Sequence, residues 1–150
     1  MLPMIAVRRQ LGELLGADAT TLAPAMNGNK AALIAADFTV TENLAIGDLT
    51  LASFTGSTPK TAGTGAQSVG IDPATGQQII TILAPAGGWV WECTVTPGAP
   101  ETIFGIALTD NAGAVLLAVL KFQTAVVISA AGQQVSQGNI TITMVANPAF

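Results

Sequence analysis

IFGIALTDNAGAVLLAVLKF, residues 103–122, carries only two charges, Asp110 and Lys121. A bilayer core takes about 20 consecutive apolar residues in a helix, so length alone would let this stretch span one. Its interior argues for a different structure. Asp110 and Asn111 stand near the middle, where a charge costs on the order of 3 kcal/mol to insert, and Gly113 follows closely. Asp and Asn bond their own backbone and tolerate left-handed dihedrals, and Gly takes positive φ without steric cost, so Asp-Asn-x-Gly makes a chain reversal. The stretch therefore divides into a strand at 103–108 and another at 114–122, with Asp110 in water at the tip. Both strands are almost wholly apolar. A strand covered on one face alternates apolar with polar, so this hairpin must be covered on both, by a second sheet, a helix or a neighbouring subunit.

Working outward, turn signals separate further β-prone runs. Upstream lie KAALIAADFTV (30–40), LTLASF (49–54), IITIL (79–83) and WVWECTV (89–95). Downstream lie TAVVIS (124–129) and ITITMV (140–145). Residues 55–78 are rich in Gly, Ser, Thr and Pro and read as one long loop with a turn at Asp72-Pro73-Ala74-Thr75-Gly76. At the front, Met4, Val7, Leu11 and Leu14 recur at helical spacing while Arg8, Arg9 and Glu13 lie elsewhere on the wheel. A helix of about ten residues is unstable alone and must dock on something. The expectation is an all-β fold, an antiparallel sandwich or jelly roll over 30–150, preceded by an arm at 1–29 that holds the short helix and an extended connection.

Composition narrows the function. Half of the 150 residues are hydrophobic and only 9% are charged, against about 25% in typical domains. So few charges cover a surface poorly, which favours a chain buried against other protein. The net charge of −4, with Lys121 the only basic residue beyond position 60, disfavours nucleic acid. No secretory leader or membrane span is expected from the opening residues or from the hairpin.

Chemistry is sparse. There is no His, which removes the commonest general base and the commonest zinc ligand. Cys93, the single cysteine, lies in an apolar strand beside two Trp residues, a setting for an inert buried thiol. AGTGAQSVG (62–70) lacks the Gly-Lys-Ser/Thr ending of a phosphate loop. Asp110 and Asn111 fall short of a calcium site with six to eight ligands. Trp89 and Trp91 share a strand face and read as core packing. The chain is expected not to be an enzyme and to need no cofactor or metal.

Asp37-Phe38-Thr39, Thr102-Ile103-Phe104-Gly105, Thr109-Asp110-x-x-Gly113, Lys121-Phe122 and the ending SAAGQQV…ITITMV fall in an order that resembles small proteins encoded beside the structural genes of tailed bacteriophages. The similarity runs over about 115 residues and leaves out residues 1–29; where the pattern has Tyr, this chain has none. The resemblance implies a virion structural role, foremost a head decoration (cement) protein made in the host cytoplasm and carried on the head surface. Its implied partners are further copies of itself, three by analogy with head symmetry, and the major capsid protein. Met4, Val7, Arg8, Leu11 and Leu14 of the arm, with Phe104, Leu116 and Leu120 of the hairpin, are then the candidate contact residues. The rival expectation is a tail- or fibre-associated β-sandwich that binds glycan or another receptor through Trp89, Trp91 and the 55–78 loop.

Overall fold

The computed structural model describes residues 29–41, 43–61, 67–71, 73–74 and 78–144. The arm, with its predicted helix, lies outside the described residues apart from Asn29. Among those described there are nine strands and one three-residue 3-10 turn, Ile46–Asp48, so the described part of the chain is all-β. The strands are β1 Lys30–Ile34, β2 Lys60–Thr61, β3 Gln67–Ile71, β4 Gln78–Ile82, β5 Trp89–Glu92, β6 Glu101–Thr109, β7 Leu116–Ile128, β8 Gln134–Gln137 and β9 Ile140–Met144. They form three antiparallel sheets, in the orders β2-β1-β6-β7, β3-β4-β9 and β5-β8.

The β6-β7 hairpin is the backbone of the first sheet, and its turn works as the sequence suggests. Asp110 Oδ1 accepts from the N–H groups of Ala114 (2.8 Å) and Val115 (3.1 Å), Gly113 N–H donates to Asp110 O (3.0 Å), and Gly113 takes φ +76°. A short carboxylate thus satisfies donors that the reversal would leave open.

Both faces of this sheet are covered from within the chain. Successive strand side chains point to opposite faces, and the buried residues sort accordingly. Ala31, Leu33, Ile106, Leu108 and Ala118 join Trp89, Trp91, Cys93, Val135 and Ile140 in one core. Ile34, Ala107 and Leu116 join Phe38, Leu44 and Leu49 in another. The first face is covered by the β5-β8 ribbon that carries both tryptophans; the second is covered by the irregular connection after β1. The expected alternatives of helix or neighbouring subunit are therefore not needed for this hairpin. Four large apolar side chains, Leu51, Val90, Val95 and Val127, are exposed among the described residues, fewer than the oily composition suggests.

Several boundaries differ from the sequence reading, each for a physical reason. The strand expected at 30–40 ends at Ile34, because the next residues leave the sheet to place Phe38 and Leu44 over its face. The strand expected at 49–54 is a single bridge, Leu51 opposite Ile34. Ala35 N–H reaches Thr50 O and Ala52 N–H reaches Leu33 O, but the N–H groups of Ser53 and Phe54 turn to the Glu101 carboxylate, each at 2.9 Å. A side chain from β6 takes the donors that a strand partner would have used. The loop expected at 55–78 contains β2 and β3, and β8 stands between the runs expected at 124–129 and 140–145, where no strand was expected.

The two strands expected at 114–122 and 124–129 are one strand, β7, with an irregularity in its pairing. Ile103 pairs with Val126 and Gly105 with Lys121, so residues 122–125 face Phe104 alone. Extra residues on one strand bend it and increase its twist, and here they do so on the sheet's edge, where a flat strand would invite pairing with another chain. Beside this bulge the backbones close up. A Cβ at Gly105 would lie 2.3 Å from Leu120 O, so the site requires glycine.

Candidate functional site

The two tryptophans are structural. Trp89 and Trp91 are 1% and 0% exposed, and their indole N–H groups donate to Thr61 O and Thr58 O, both at 3.2 Å. A buried indole needs an acceptor, and here the acceptors are backbone carbonyls of the 58–61 segment, which the ribbon thereby fixes in place. Gly56, at φ +111°, lets the same segment run against Glu92, whose carbonyl oxygen would be 1.9 Å from a Cβ. This agrees with the reading of Trp89 and Trp91 as core packing and counts against the rival glycan platform, since a ring inside the core offers no face for a sugar to stack on. Cys93 is buried beside them and donates its S–H to Val95 O at 3.1 Å.

A second cluster forms on the edge strand. Lys121 Nζ pairs with Asp37 Oδ1 at 2.5 Å, donates to Phe38 O at 2.6 Å and lies 5.3 Å from the centre of the Phe38 ring. The Lys121 hydrogen bond lowers the Asp37 pKa from its ordinary value; desolvation opposes it, and the Lys121 charge and the Phe38 N–H reinforce it. With side chains 43% and 68% exposed, the pair is a solvated clasp. It fastens the start of the connection that covers the second core to the strand opposite.

An open cleft of about 530 Å³ lies between residues 53–55 and 95–101. Glu101 stands on its wall, and Val95, 58% exposed, lines it with Pro97 and Pro100. Among the described residues no group of three His, Cys, Asp or Glu is placed to hold a metal ion, and no helix is long and apolar enough to cross a membrane.

The expected contact residues fall in different places. Met4, Val7, Arg8, Leu11 and Leu14 lie outside the described residues. Leu116 is 2% exposed and packs with Phe38 and Leu44 in the second core of its own chain. Phe104 and Leu120 are partly buried, packed on the second and first cores respectively. Sequence reasoning passed over Glu101, because a lone acid opening a β-prone run carries no local sign of binding backbone donors 48 residues away. No family model, curated protein or solved structure matches the chain.

Proposed function

We propose that this chain is a structural protein of a tailed-bacteriophage virion, a decoration (cement) protein of the head, with a body that closes as an antiparallel sandwich of the jelly-roll kind. The sandwich is supported by one core to which all three sheets contribute: Leu33 and Ile106 from the first, Ile140 from the second, Trp91 and Val135 from the third.

One observation carries the functional reading. Residues that bear the resemblance, far apart in sequence, meet as framework. Asp37 and Phe38 are held by Lys121, Lys121 pairs in register with Gly105, and Asp110 and Gly113 close the turn of the same hairpin. A shared pattern made of framework contacts supports a shared body used for assembly, whereas an enzyme's pattern would gather acids, bases and nucleophiles around a reacting atom. In this reading the β body sits on the outer surface of the head among further copies of itself. The arm at 1–29, through Met4, Val7, Arg8, Leu11 and Leu14, reaches the major capsid protein below. Each copy adds interface between neighbouring capsid subunits, and many modest contacts on one shell sum to a large resistance against internal pressure.

The test is cosedimentation of the purified full chain with undecorated heads, alongside a variant lacking residues 1–16. The full chain is expected in the pellet; the truncated variant is expected to stay in the supernatant with an unchanged circular dichroism spectrum. A full chain that never pellets with heads overturns the proposal.

A further inference from the structure

We infer that the connection from Ala35 to Thr50 is a strap that lifts as one unit off the second face of the central sheet while the first core stays closed. Its ends are fastened to each other. Ile34 forms an isolated bridge with Leu51, Ala35 N–H donates to Thr50 O at 2.8 Å, and Ala52 N–H donates to Leu33 O at 2.9 Å. A loop closed at its neck can swing away without separating β1 from β6, whose pairing runs from Lys30–Thr109 to Ile34–Gly105. Beyond the neck the strap's backbone–backbone bonds, among the described residues, are to itself: Leu44 N–H to Thr41 O, Asp48 N–H to Ala45 O and Leu49 N–H to Ile46 O, at 3.1–3.3 Å. The N–H groups of Phe38 and Ala45 likewise go to the strap's own Asp37 and Asp48 carboxylates. None of these bonds ties the strap to the sheet.

Two things hold it down. The first is the Lys121 clasp. Lys121 shares a rung of the sheet with Gly105 and Ile34, so the strap leaves β1, crosses β6 and is caught at the far edge by the ion pair with Asp37 and the bond to Phe38 O. An ion pair this open to water contributes little. The second is the burial of Phe38, Leu44 and Leu49, each still 8–9% exposed, with Ile34, Ala107 and Leu116. The first core is tighter: it holds both indoles, draws on all three sheets, and is tied by the indole N–H groups to the 58–61 segment. Openings that cost less than global unfolding fall where buried apolar contacts are few and main-chain bonds are local, and the strap meets both conditions. Closed, it keeps the apolar face of Ile34, Ala107 and Leu116 from water. Lifted, it uncovers Leu116 and the half-buried Phe104 beside it, two of the hairpin residues expected from the sequence to make contacts. The inference concerns the free chain and does not rest on the assembly reading.

The experiment follows thiol labelling of the folded full chain carrying Ala107→Cys, with the native Cys93 as internal reference in the first core. Ala107 is fully buried in the second core, where the strap covers it. Peptide mass mapping reads the two sites separately. The introduced thiol is expected to react at least about 100-fold faster than Cys93, because strap opening reaches it and only wider unfolding reaches Cys93. Lys121→Met keeps an unbranched stem and removes the ammonium; it should speed the introduced thiol by about fivefold and leave Cys93 within about twofold. Should Ala107→Cys overpack its site and fail to fold, Leu116→Cys repeats the measurement with a smaller side chain. A second readout needs no added cysteine. Isolated single-turn bonds are marginal in water, so Lys121→Met in the otherwise natural chain should raise hydrogen exchange at the Leu44, Asp48 and Leu49 amides together, although the contacts it removes are at Asp37 and Phe38. Equal labelling of the two thiols, equal acceleration of both by Lys121→Met, or exchange at 44–49 that ignores the substitution would overturn the inference.

Discussion

Replacing Gly105 with Ala should be among the most damaging single changes that adds only one carbon. The new Cβ would lie 2.3 Å from Leu120 O and 3.2 Å from both Leu120 C and Lys121 Cα. All three are backbone atoms of β7, so no rotamer change relieves the contact. The strands must separate by about 1 Å locally, against the dense packing on both faces of Ile106 and Ala107, each 0% exposed. Overpacking a core costs about 1–3 kcal/mol. Because the clash is with backbone and strains the register of the central pair, a loss near 3 kcal/mol is expected. With a urea dependence of about 1–3 kcal/mol per molar, the midpoint should fall by at least about 1 M in an unfolding curve followed by far-ultraviolet circular dichroism. Gly98→Ala is the matched control: nothing lies within 4 Å of its added Cβ, and its change should stay within about 0.5 kcal/mol. A Gly105→Ala protein that unfolds at the same urea concentration as Gly98→Ala would show that β7 does not cross so close to β6, and the bulge opposite Phe104 would go with it.

Trp91→Phe should cost about 2–3 kcal/mol in the same assay, from lost ring volume and the lost bond to Thr58 O, and should speed hydrogen exchange in the 55–61 segment. Asp110→Ala should cost about 1–2 kcal/mol by freeing the Ala114 and Val115 N–H groups, with Asp110→Asn recovering most of it; equal loss in both would point to the charge instead of the hydrogen bonds. For Asp37 the folded pKa is depressed, so its contribution to stability is present above the ordinary aspartate value and is lost as pH falls through the folded value. Asp37→Asn should therefore flatten the acid limb of the thermal stability profile and leave it unchanged near neutrality in shape; an unaltered acid limb would mean that the clasp with Lys121 does not persist in solution.

Local chemistry was legible. The reversal at Asp110 follows from residues that act within four positions of one another, and IITIL, WVWE and ITITM announce strands by β-branched and aromatic content within a few residues of where they stand. What the sequence hid depends on distant partners. LTLASF alternates well enough for a strand, yet its last donors belong to Glu101. The polar Gln123 read as a gap between two strands, and the chain instead bulges there and continues. QVSQ, with Val135 as its only apolar residue, earned its place as β8 by pairing with the tryptophan strand, which no periodicity in four residues can reveal. The acceptors for both indoles are main-chain carbonyls, invisible in any residue pattern.

The burial of both indoles has a practical corollary. With no tyrosine among the 150 residues, near-ultraviolet emission from this protein comes almost wholly from Trp89 and Trp91. The wavelength of that light is accordingly a gauge of a single event, the ribbon lifting from the sheet and admitting water, and it can be followed in a large assembly whose other components would obscure most signals if they were first rendered tryptophan-free.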